Sequence, residues 1–181
     1  MRAVNAVLGV AMLGGVLFAA TTASAMSMPM GGPVHVFVTP SPDGIHGPIV
    51  ITGAIGDHGQ TLTMEKNGKP DANGNYVMIT LAKGTFEINS TALNAKTKNG
   101  QPAVDKATCS FLFTGVGPVT LFNGTGLYKG ISGTVNITLT FAGIGAVYKT
   151  GKHMGQCNMS NNAPTIAQYS SIMGTGTVKY S

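Results

Sequence analysis

From residue 34 to its end, the chain is a succession of short segments rich in Val, Ile, Thr, Phe and Tyr, and glycine separates most of them. The clearest segment is GTVNITLTFAG, residues 133–143, where Val135, Ile137 and Leu139 alternate with polar side chains. Such an alternation turns one face of a strand towards a core and the other towards solvent. Apolar residues at helical spacing are almost absent from this part of the chain, so the sequence predicts an all-β fold.

The number and spacing of these segments narrow the architecture. Nine are rich enough in β-branched and aromatic residues to be strands: residues 34–39, 48–56, 60–66, 75–82, 84–93, 109–116, 119–122, 133–143 and 169–180. Eight or nine strands that follow each other through turns predict an antiparallel barrel or β-sandwich, and not a parallel sheet built from βαβ units.

The expected turns are rich in glycine. Four Asn-Gly pairs lie between the segments, at residues 67–68, 73–74, 99–100 and 123–124. Asn and Gly both tolerate a positive φ, which type I′ hairpin turns require at their two central residues. The segment GDHG, residues 56–59, is a further candidate for a tight hairpin, so we expect Asp57 and His58 to be exposed to solvent.

The N-terminus has the pattern of an export signal. Arg2 precedes an apolar stretch at residues 6–20, and small residues follow at Ala23 and Ala25. This order is typical of a cleavable signal peptide. The sequence therefore predicts a signal peptide at 1–25, a flexible leader at 26–33 and one barrel domain at 34–181. We expect a secreted, periplasmic or cell-surface protein with no stable membrane insertion after cleavage.

The chain has two cysteines, Cys109 and Cys157. An even number of cysteines in an exported chain favours a disulfide bond over a catalytic thiol. Closing the loop of about 49 residues between them would stabilise the fold by about 4 kcal/mol in the chain-entropy model. We expect this bond to hold down a long loop at residues 148–164.

The charge pattern does not suggest nucleic-acid binding. Without Arg2, ten lysines face six carboxylates, a formal charge of +4, and no arginine remains. Nucleic-acid sites usually cluster basic residues on one face, with arginine and aromatic side chains among them. The lysines here are scattered along the chain, so we expect no nucleic-acid partner.

The stretch NGTGLYKGISG, residues 123–133, is as rich in glycine as a phosphate-binding loop. Such loops lie before a helix, whose N-terminus holds the phosphate. Here the β-branched segment that begins at Gly133 follows, so the cluster predicts a tight connection between two strands. Tyr128 can then fold back onto the end of the barrel.

The same stretch, residues 122–135, resembles the G-G-T-G-x-Y-x-G-A-x-G hairpin of the allene oxide cyclase and dirigent superfamily. The residues that match this pattern are Gly124, Thr125, Gly126, Tyr128, Gly130 and Gly133. The resemblance implies an eight-stranded antiparallel barrel with an apolar cavity. Plant members of the superfamily cyclise an unstable fatty-acid epoxide or steer the radical coupling of phenols, without a cofactor.

Residues with catalytic chemistry form no recognisable motif. The four histidines have no metal-ligand spacing, and no serine lies in a nucleophile elbow. Glu65 and Glu87 lie in predicted strands and are, with Tyr128, weak candidates for an acid or base. Glu87 shares its predicted face with polar neighbours, which favours an outer, solvated face. We expect no metal and no cofactor.

These observations favour a non-catalytic module that binds a small apolar ligand, or a partner on its surface. The first alternative is a cofactor-free isomerase or cyclase that acts in the barrel cavity. The second alternative is a surface structural or adhesion protein. The sequence leaves a homo-oligomer open.

Overall fold

The computed structural model describes residues 30–158, 160 and 163–181. Within these residues the fold is all-β, with nine strands and one short helix. The elements are β1 (Gly32–Val38), β2 (His46–Gly53), β3 (Asp57–Met64), β4 (Tyr76–Leu81), β5 (Gly84–Asn89), α1 (Thr91–Thr97), β6 (Ala103–Asp105), β7 (Ser110–Phe122), β8 (Ile131–Gly145) and β9 (Thr165–Tyr180). A single 3₁₀ turn, Gly126–Tyr128, lies between β7 and β8.

Eight of these strands close into a barrel. They follow the order β5-β4-β3-β2-β1-β9-β8-β7, and pairing of β5 with β7 closes the ring. Every pairing is antiparallel. The predicted antiparallel eight-stranded barrel is therefore confirmed, and the fold is not a sandwich. The ninth strand, β6, pairs only with the beginning of β7 and lies outside the ring.

The core packs inside the barrel because most inward-facing positions on its strands are apolar, many of them β-branched. On β8, for example, Val135 and Ile137 are buried while their neighbours along the strand are exposed or only partly buried. The fully buried side chains come from several walls of the barrel: Val34, Phe86, Tyr128, Val135 and Val178. The alternation in the sequence thus predicts which face of these strands is dry.

Three element boundaries differ from the expected ones. The connection between β2 and β3 occupies residues 54–56, so the predicted turn at 56–59 is wrong and Asp57 begins a strand. The expected strand at 84–93 ends at Asn89. Helix α1 begins at Thr91, whose N–H donates to Asn89 Oδ1 at 2.9 Å. The segments at 109–116 and 119–122 form one strand, β7. Pro118 is tolerated there because β7 has no strand partner on its other side at that position.

The strand ends and turns also differ in detail. β1 begins at Gly32 and β9 at Thr165, both earlier than expected. None of the four Asn-Gly pairs has a positive φ at both residues, so the expected type I′ turns are absent from these positions. The pair at 99–100 instead follows the end of α1. The predicted signal peptide and residues 26–29 of the leader lie outside the described residues.

The expected disulfide bond is confirmed. Cys109 and Cys157 are joined with an S–S distance of 2.02 Å and a Cα–Cα distance of 5.4 Å. The bond attaches the loop after β8, residues 146–158, to the beginning of β7. A bridge between Val147 and Cys157 closes the base of the same loop.

Three strands continue beyond the barrel on one side. β1 ends at Val38, which pairs with Ile172 of β9, and Ile172 in turn pairs with Leu139 of β8. Beyond this level only β7, β8 and β9 continue, and β6 joins their edge. We call this extension the flap. It comprises residues 103–105, 110–114, 140–145 and 165–171, together with the loop at 146–158.

Candidate functional site

The barrel is hollow at the end that carries the flap. A cavity of about 240 Å³ lies there, and we refer to it as the cavity. Aliphatic side chains form most of its lining: Val36, Val38, Ile49, Ile79, Ile137 and Leu139. A separate space of only about 30 Å³ lies deeper in the core. The exposed loop residues Gly44 and Ala72 also line the cavity, which therefore reaches the surface at this end.

Helix α1 covers part of the cavity, and a glycine lets it approach the wall. Leu93 is the buried residue of the helix, and it lines the cavity. Gly117 of β7 faces it, and a Cβ at this position would lie 2.8 Å from the Leu93 Cα. A larger residue at 117 would push the helix away from the barrel, so the glycine defines this side of the cavity.

Four polar side chains lie among the aliphatic ones. The Thr61 hydroxyl donates to the Gly47 carbonyl at 3.1 Å, and the Ser90 hydroxyl donates to the Asn75 carbonyl at 3.0 Å. The Asn94 amide donates to the Asn75 side chain at 2.9 Å. Thr63 is the fourth. Among the described residues that line the cavity, none has a titratable side chain, so the cavity suits an uncharged molecule.

The opposite end of the barrel is closed by Tyr128. This side chain is 1% exposed, and its ring packs edge-on against Phe86 with centroids 5.6 Å apart. Its hydroxyl donates to Asp57 Oδ2 at 2.5 Å. We call this the closed end. Tyr128 thus folds back onto the end of the barrel.

The glycine cluster allows this closure. The connection between β7 and β8 packs against the turn between β4 and β5. The Leu127 N–H donates there to the Lys83 carbonyl at 3.0 Å. Gly126 has φ +57, and a Cβ there would collide with the Lys83 backbone. At Gly124 a Cβ would collide with the Tyr128 carbonyl. These glycines therefore serve close backbone packing between strands, as the sequence predicts.

Asp57 is buried and ionised. It is 8% exposed, and burial alone would raise the pKa of its carboxyl. Hydrogen bonds from the Tyr128 hydroxyl and from the N–H groups of His58 and Lys83 outweigh that effect, so the pKa is lowered below 3.8. For Tyr128, burial first and then the Asp57 carboxylate raise the pKa of the hydroxyl far above its ordinary value. The pair is thus a fixed phenol–carboxylate hydrogen bond at neutral pH.

This pair does not belong to the cavity. Neither Asp57 nor Tyr128 lines the cavity. Phe86, which packs against Tyr128, lines the separate space of about 30 Å³ and not the cavity. Tyr180 also lies near the closed end, and its hydroxyl is buried without a hydrogen-bond partner among the described residues. Burial raises the pKa of this hydroxyl as well. The geometry assigns the Tyr128–Asp57 pair to closure of the barrel end.

The structure separates the three candidate acid or base residues. Glu65 is exposed in the connection after β3, where its N–H donates to the Lys69 carbonyl at 2.8 Å. Glu87 lies between Phe86 and Ile88 on β5. Both of these neighbours point into the barrel, so the Glu87 side chain lies on the outer face. Its Oε1 accepts from Asn123 Nδ2 at 3.4 Å. Of the three, only Tyr128 is inside the barrel.

The described residues include no group of three or more His, Cys, Asp or Glu side chains that could hold a metal ion. The exposed side chains of His46 and Asp43 are hydrogen-bonded, with 2.7 Å between Nδ1 and Oδ2. His153 contacts Gln156 at 3.0 Å in the loop at 146–158. No helix in the described part of the chain is long and apolar enough to cross a membrane.

Two features of the structure are not predicted from the sequence, the burial of Asp57 and helix α1. Asp57 was expected in an exposed turn, yet it is the buried partner of Tyr128. The run Asn89-Ser90-Thr91, which precedes Ala and Leu, is typical of a helix start and could have indicated α1. No local signal indicates the partner of Asp57, because Tyr128 is 71 residues away.

Fold and site together define a closed antiparallel eight-stranded barrel with an apolar cavity at one end and a tyrosine–aspartate closure at the other. Comparisons with protein-family models, with curated proteins and with solved structures gave no match.

Proposed function

We propose that this protein is an exported barrel that binds a small, uncharged and largely apolar molecule in the cavity without converting it. The observation that carries the proposal is the cavity of about 240 Å³, lined by aliphatic and uncharged polar side chains. In another protein, an apolar cavity of roughly 150 Å³ binds benzene. We therefore expect a ligand with one or two small rings or a short chain.

The size of the cavity limits the affinity. A ligand of about ten non-hydrogen atoms that gains about 0.6 kcal/mol per atom would bind with a Kd of about 40 µM. The hydroxyls of Thr61 and Ser90 already donate to backbone carbonyls, so they add little further binding energy. We expect selection by shape and polarity, with micromolar affinity.

The positions of the carboxylates support binding over catalysis. An isomerase or cyclase in the cavity would require an acid or base within hydrogen-bonding reach of its substrate. Glu65 and Glu87 lie outside the barrel, and the Tyr128–Asp57 pair lies beneath the cavity. The cofactor-free enzyme thus remains the second hypothesis, and no described residue that lines the cavity favours it.

The relationship to the allene oxide cyclase and dirigent superfamily is part of this proposal. The eight-stranded antiparallel barrel agrees with it, and so does the glycine-rich connection that carries Tyr128. Residues 122–135 support it at the level of sequence.

Export is likewise proposed. The apolar N-terminal stretch and the small residues at Ala23 and Ala25 support a cleaved signal peptide. The disulfide bond between Cys109 and Cys157 supports an oxidising compartment. Together they support a secreted, periplasmic or cell-surface location.

Thermal denaturation with small apolar probes tests the binding proposal. The probes are p-xylene, indole, limonene and octan-1-ol. At a probe concentration of about ten times Kd, binding adds about 1.4 kcal/mol to the free energy of unfolding. For a domain of this size, that gain raises Tm by about 3–6 °C.

A matched pair of variants assigns any shift to the cavity. Val36 lines the cavity and Val50 is exposed on the outer face of the barrel wall. We expect Val36→Phe to fill the cavity and abolish the shift, and Val50→Phe to retain it. If no probe raises Tm, or if both variants keep the shift, the proposed function fails.

A further inference from the structure

The exposed apolar side chains of this protein are concentrated in the flap. Thirteen large hydrophobic residues are exposed in the described part of the chain, and eight of them belong to the flap. These eight are Val104, Leu112, Phe141, Ile144, Val147, Met154, Ile166 and Tyr169. The most exposed of the eight are Met154, at 70%, and Ile166, at 69%. Met154 lies in the loop at 146–158, and Ile166 is the second residue of β9. Monomeric soluble domains seldom expose so many apolar groups together, so this surface calls for an apolar partner.

Both faces of the flap sheet are apolar. Leu112 and Tyr169 lie on the outer face, each paired with Ala142 of β8. Phe141 lies on the inner face, opposite Phe113, and its ring is 5.4 Å from that of Phe111. Open grooves of about 740 Å³ and about 520 Å³ follow the two sides. The flap therefore differs from the barrel wall, whose outer face exposes only scattered large apolar side chains such as Val50.

The charges of the flap are almost all positive. Lys149 and Lys152 lie in the loop at 146–158, next to the exposed Met154. Lys106 lies in the loop that joins the flap strands β6 and β7, beside the disulfide, with its carbonyl oxygen 3.1 Å from Cys157 Sγ. Asp105 is the one carboxylate of the flap and its adjoining loops in the sequence. Exposed apolar groups interleaved with lysines are the pattern of surfaces that bind anionic lipid.

The flap and the cavity are at the same end of the barrel. Leu139 and Ile172 line the cavity, and the flap begins directly beyond them on β8 and β9. A membrane against the flap would therefore face the end at which the cavity reaches the surface. An apolar molecule could then enter the cavity from lipid with less passage through water.

We propose that the flap is a docking surface for an anionic phospholipid membrane, on which its apolar side chains enter the interface and its lysines contact headgroups. A second copy of the chain is the competing occupant. Two copies packed flap to flap would bring like charges from Lys106, Lys149 and Lys152 together, whereas anionic headgroups neutralise them. The charge of the flap thus favours lipid over a second copy.

Vesicle co-sedimentation tests the proposal. We expect the purified protein to bind vesicles that contain phosphatidylglycerol, to bind vesicles of phosphatidylcholine alone much more weakly, and to dissociate as salt is added. Each lysine near an anionic surface contributes about fivefold in affinity, so the double variant Lys149→Gln/Lys152→Gln is expected to bind about 30-fold more weakly. The control is Lys129→Gln/Lys179→Gln, which removes the same charge at the closed end and should bind as the parent does.

The apolar contribution has its own matched pair. Ile166→Ser removes an exposed flap side chain, and Val50→Ser removes an exposed side chain of the barrel wall. We expect Ile166→Ser to weaken vesicle binding about tenfold and Val50→Ser to leave it unchanged. Circular dichroism of each variant confirms that the fold is retained.

Three results would overturn the proposal. The first is equal binding to the anionic and the neutral vesicles. The second is an equal loss of binding in the lysine variant and its control. The third is no vesicle binding together with a stable dimer in sedimentation velocity that Ile166→Ser dissociates, which would assign the flap to a second copy. Because these readouts do not involve the cavity, they can fail while the probe-binding test succeeds, and the reverse.

Discussion

Replacing Tyr128 with phenylalanine removes one hydroxyl from the closed end and leaves the ring in place. The ring keeps its edge-on contact with Phe86. The Asp57 carboxylate keeps the N–H groups of His58 and Lys83 but loses its third donor. The variant therefore isolates one hydrogen bond to a buried charge.

The expected cost follows from that geometry. A hydrogen bond to a charged group contributes about 1.5–3 kcal/mol to stability, and two donors to Asp57 remain. We expect Tyr128→Phe to lower the free energy of unfolding by about 2 kcal/mol near pH 7. Tyr128→Ala also removes a fully buried ring and should cost about 3–5 kcal/mol.

The pH dependence identifies Asp57 as the partner. Because the pKa of Asp57 in the folded protein is below 3.8, its contribution to stability is present above that value and is lost as pH falls through the lowered pKa. Without the Tyr128 hydroxyl this pKa rises towards its ordinary value. The stability difference between parent and variant should therefore be largest at neutral pH and shrink below about pH 4.

Urea unfolding followed by far-ultraviolet circular dichroism gives both quantities. The control is Tyr169→Phe, which removes a hydroxyl from an exposed ring and should change stability by less than about 0.5 kcal/mol. The reasoning is refuted if Tyr128→Phe is as stable as the parent at neutral pH. It is also refuted if the difference between the two is the same at every pH.

Three further predictions concern the backbone and its processing. Reducing the bond between Cys109 and Cys157 should lower the free energy of unfolding by about 4 kcal/mol, measured by urea titration with and without reductant; an unchanged midpoint would contradict this. Gly126→Ala should lower Tm more than Gly68→Ala, because both glycines have a positive φ but only a Cβ at 126 would meet backbone atoms. Thermal melts of the two variants compare them, and an equal decrease in Tm would contradict this prediction. Protein recovered after export should have the intact mass expected for cleavage after Ala25; the mass of the full chain would disprove this.

The barrel could be predicted from the sequence because closure of a sheet imposes a local pattern. In the part of β8 that forms the barrel wall, every second residue must face the core, so Val135, Ile137 and Leu139 indicate their own orientation. The disulfide was also predictable, since two cysteines allow one intramolecular pairing. The first inference depends on a short stretch of sequence, and the second on the number of cysteines.

The features that could not be predicted depend on distant partners. Gly56-Asp57-His58-Gly59 has the composition of a turn, and only its pairing with β2 and the contact with Tyr128 make Asp57 a strand residue. Helix α1 has seven residues, too few to show a helical period, and a single buried residue, Leu93. The cavity depends on which side chains meet across the barrel, and alternation within one strand does not contain that information.

The position of the flap also depends on distant contacts that the local sequence does not contain. Taken alone, the apolar residues on both faces of SFLF, residues 110–113, indicate a strand covered on both sides, as in a closed barrel. The structure places these residues beyond the barrel, where grooves follow both faces. Apolarity on both faces thus predicted contact with other apolar groups but not where those groups lie.

Crystals of the protein under xenon pressure would show whether the barrel interior is available to an apolar ligand. Xenon occupies dry apolar cavities without requiring polar contacts. We predict a strong xenon peak between Val36, Ile49 and Ile137, and none beside the Tyr128–Asp57 pair. Side chains that fill this space, with no xenon inside the barrel, would contradict the proposed ligand site.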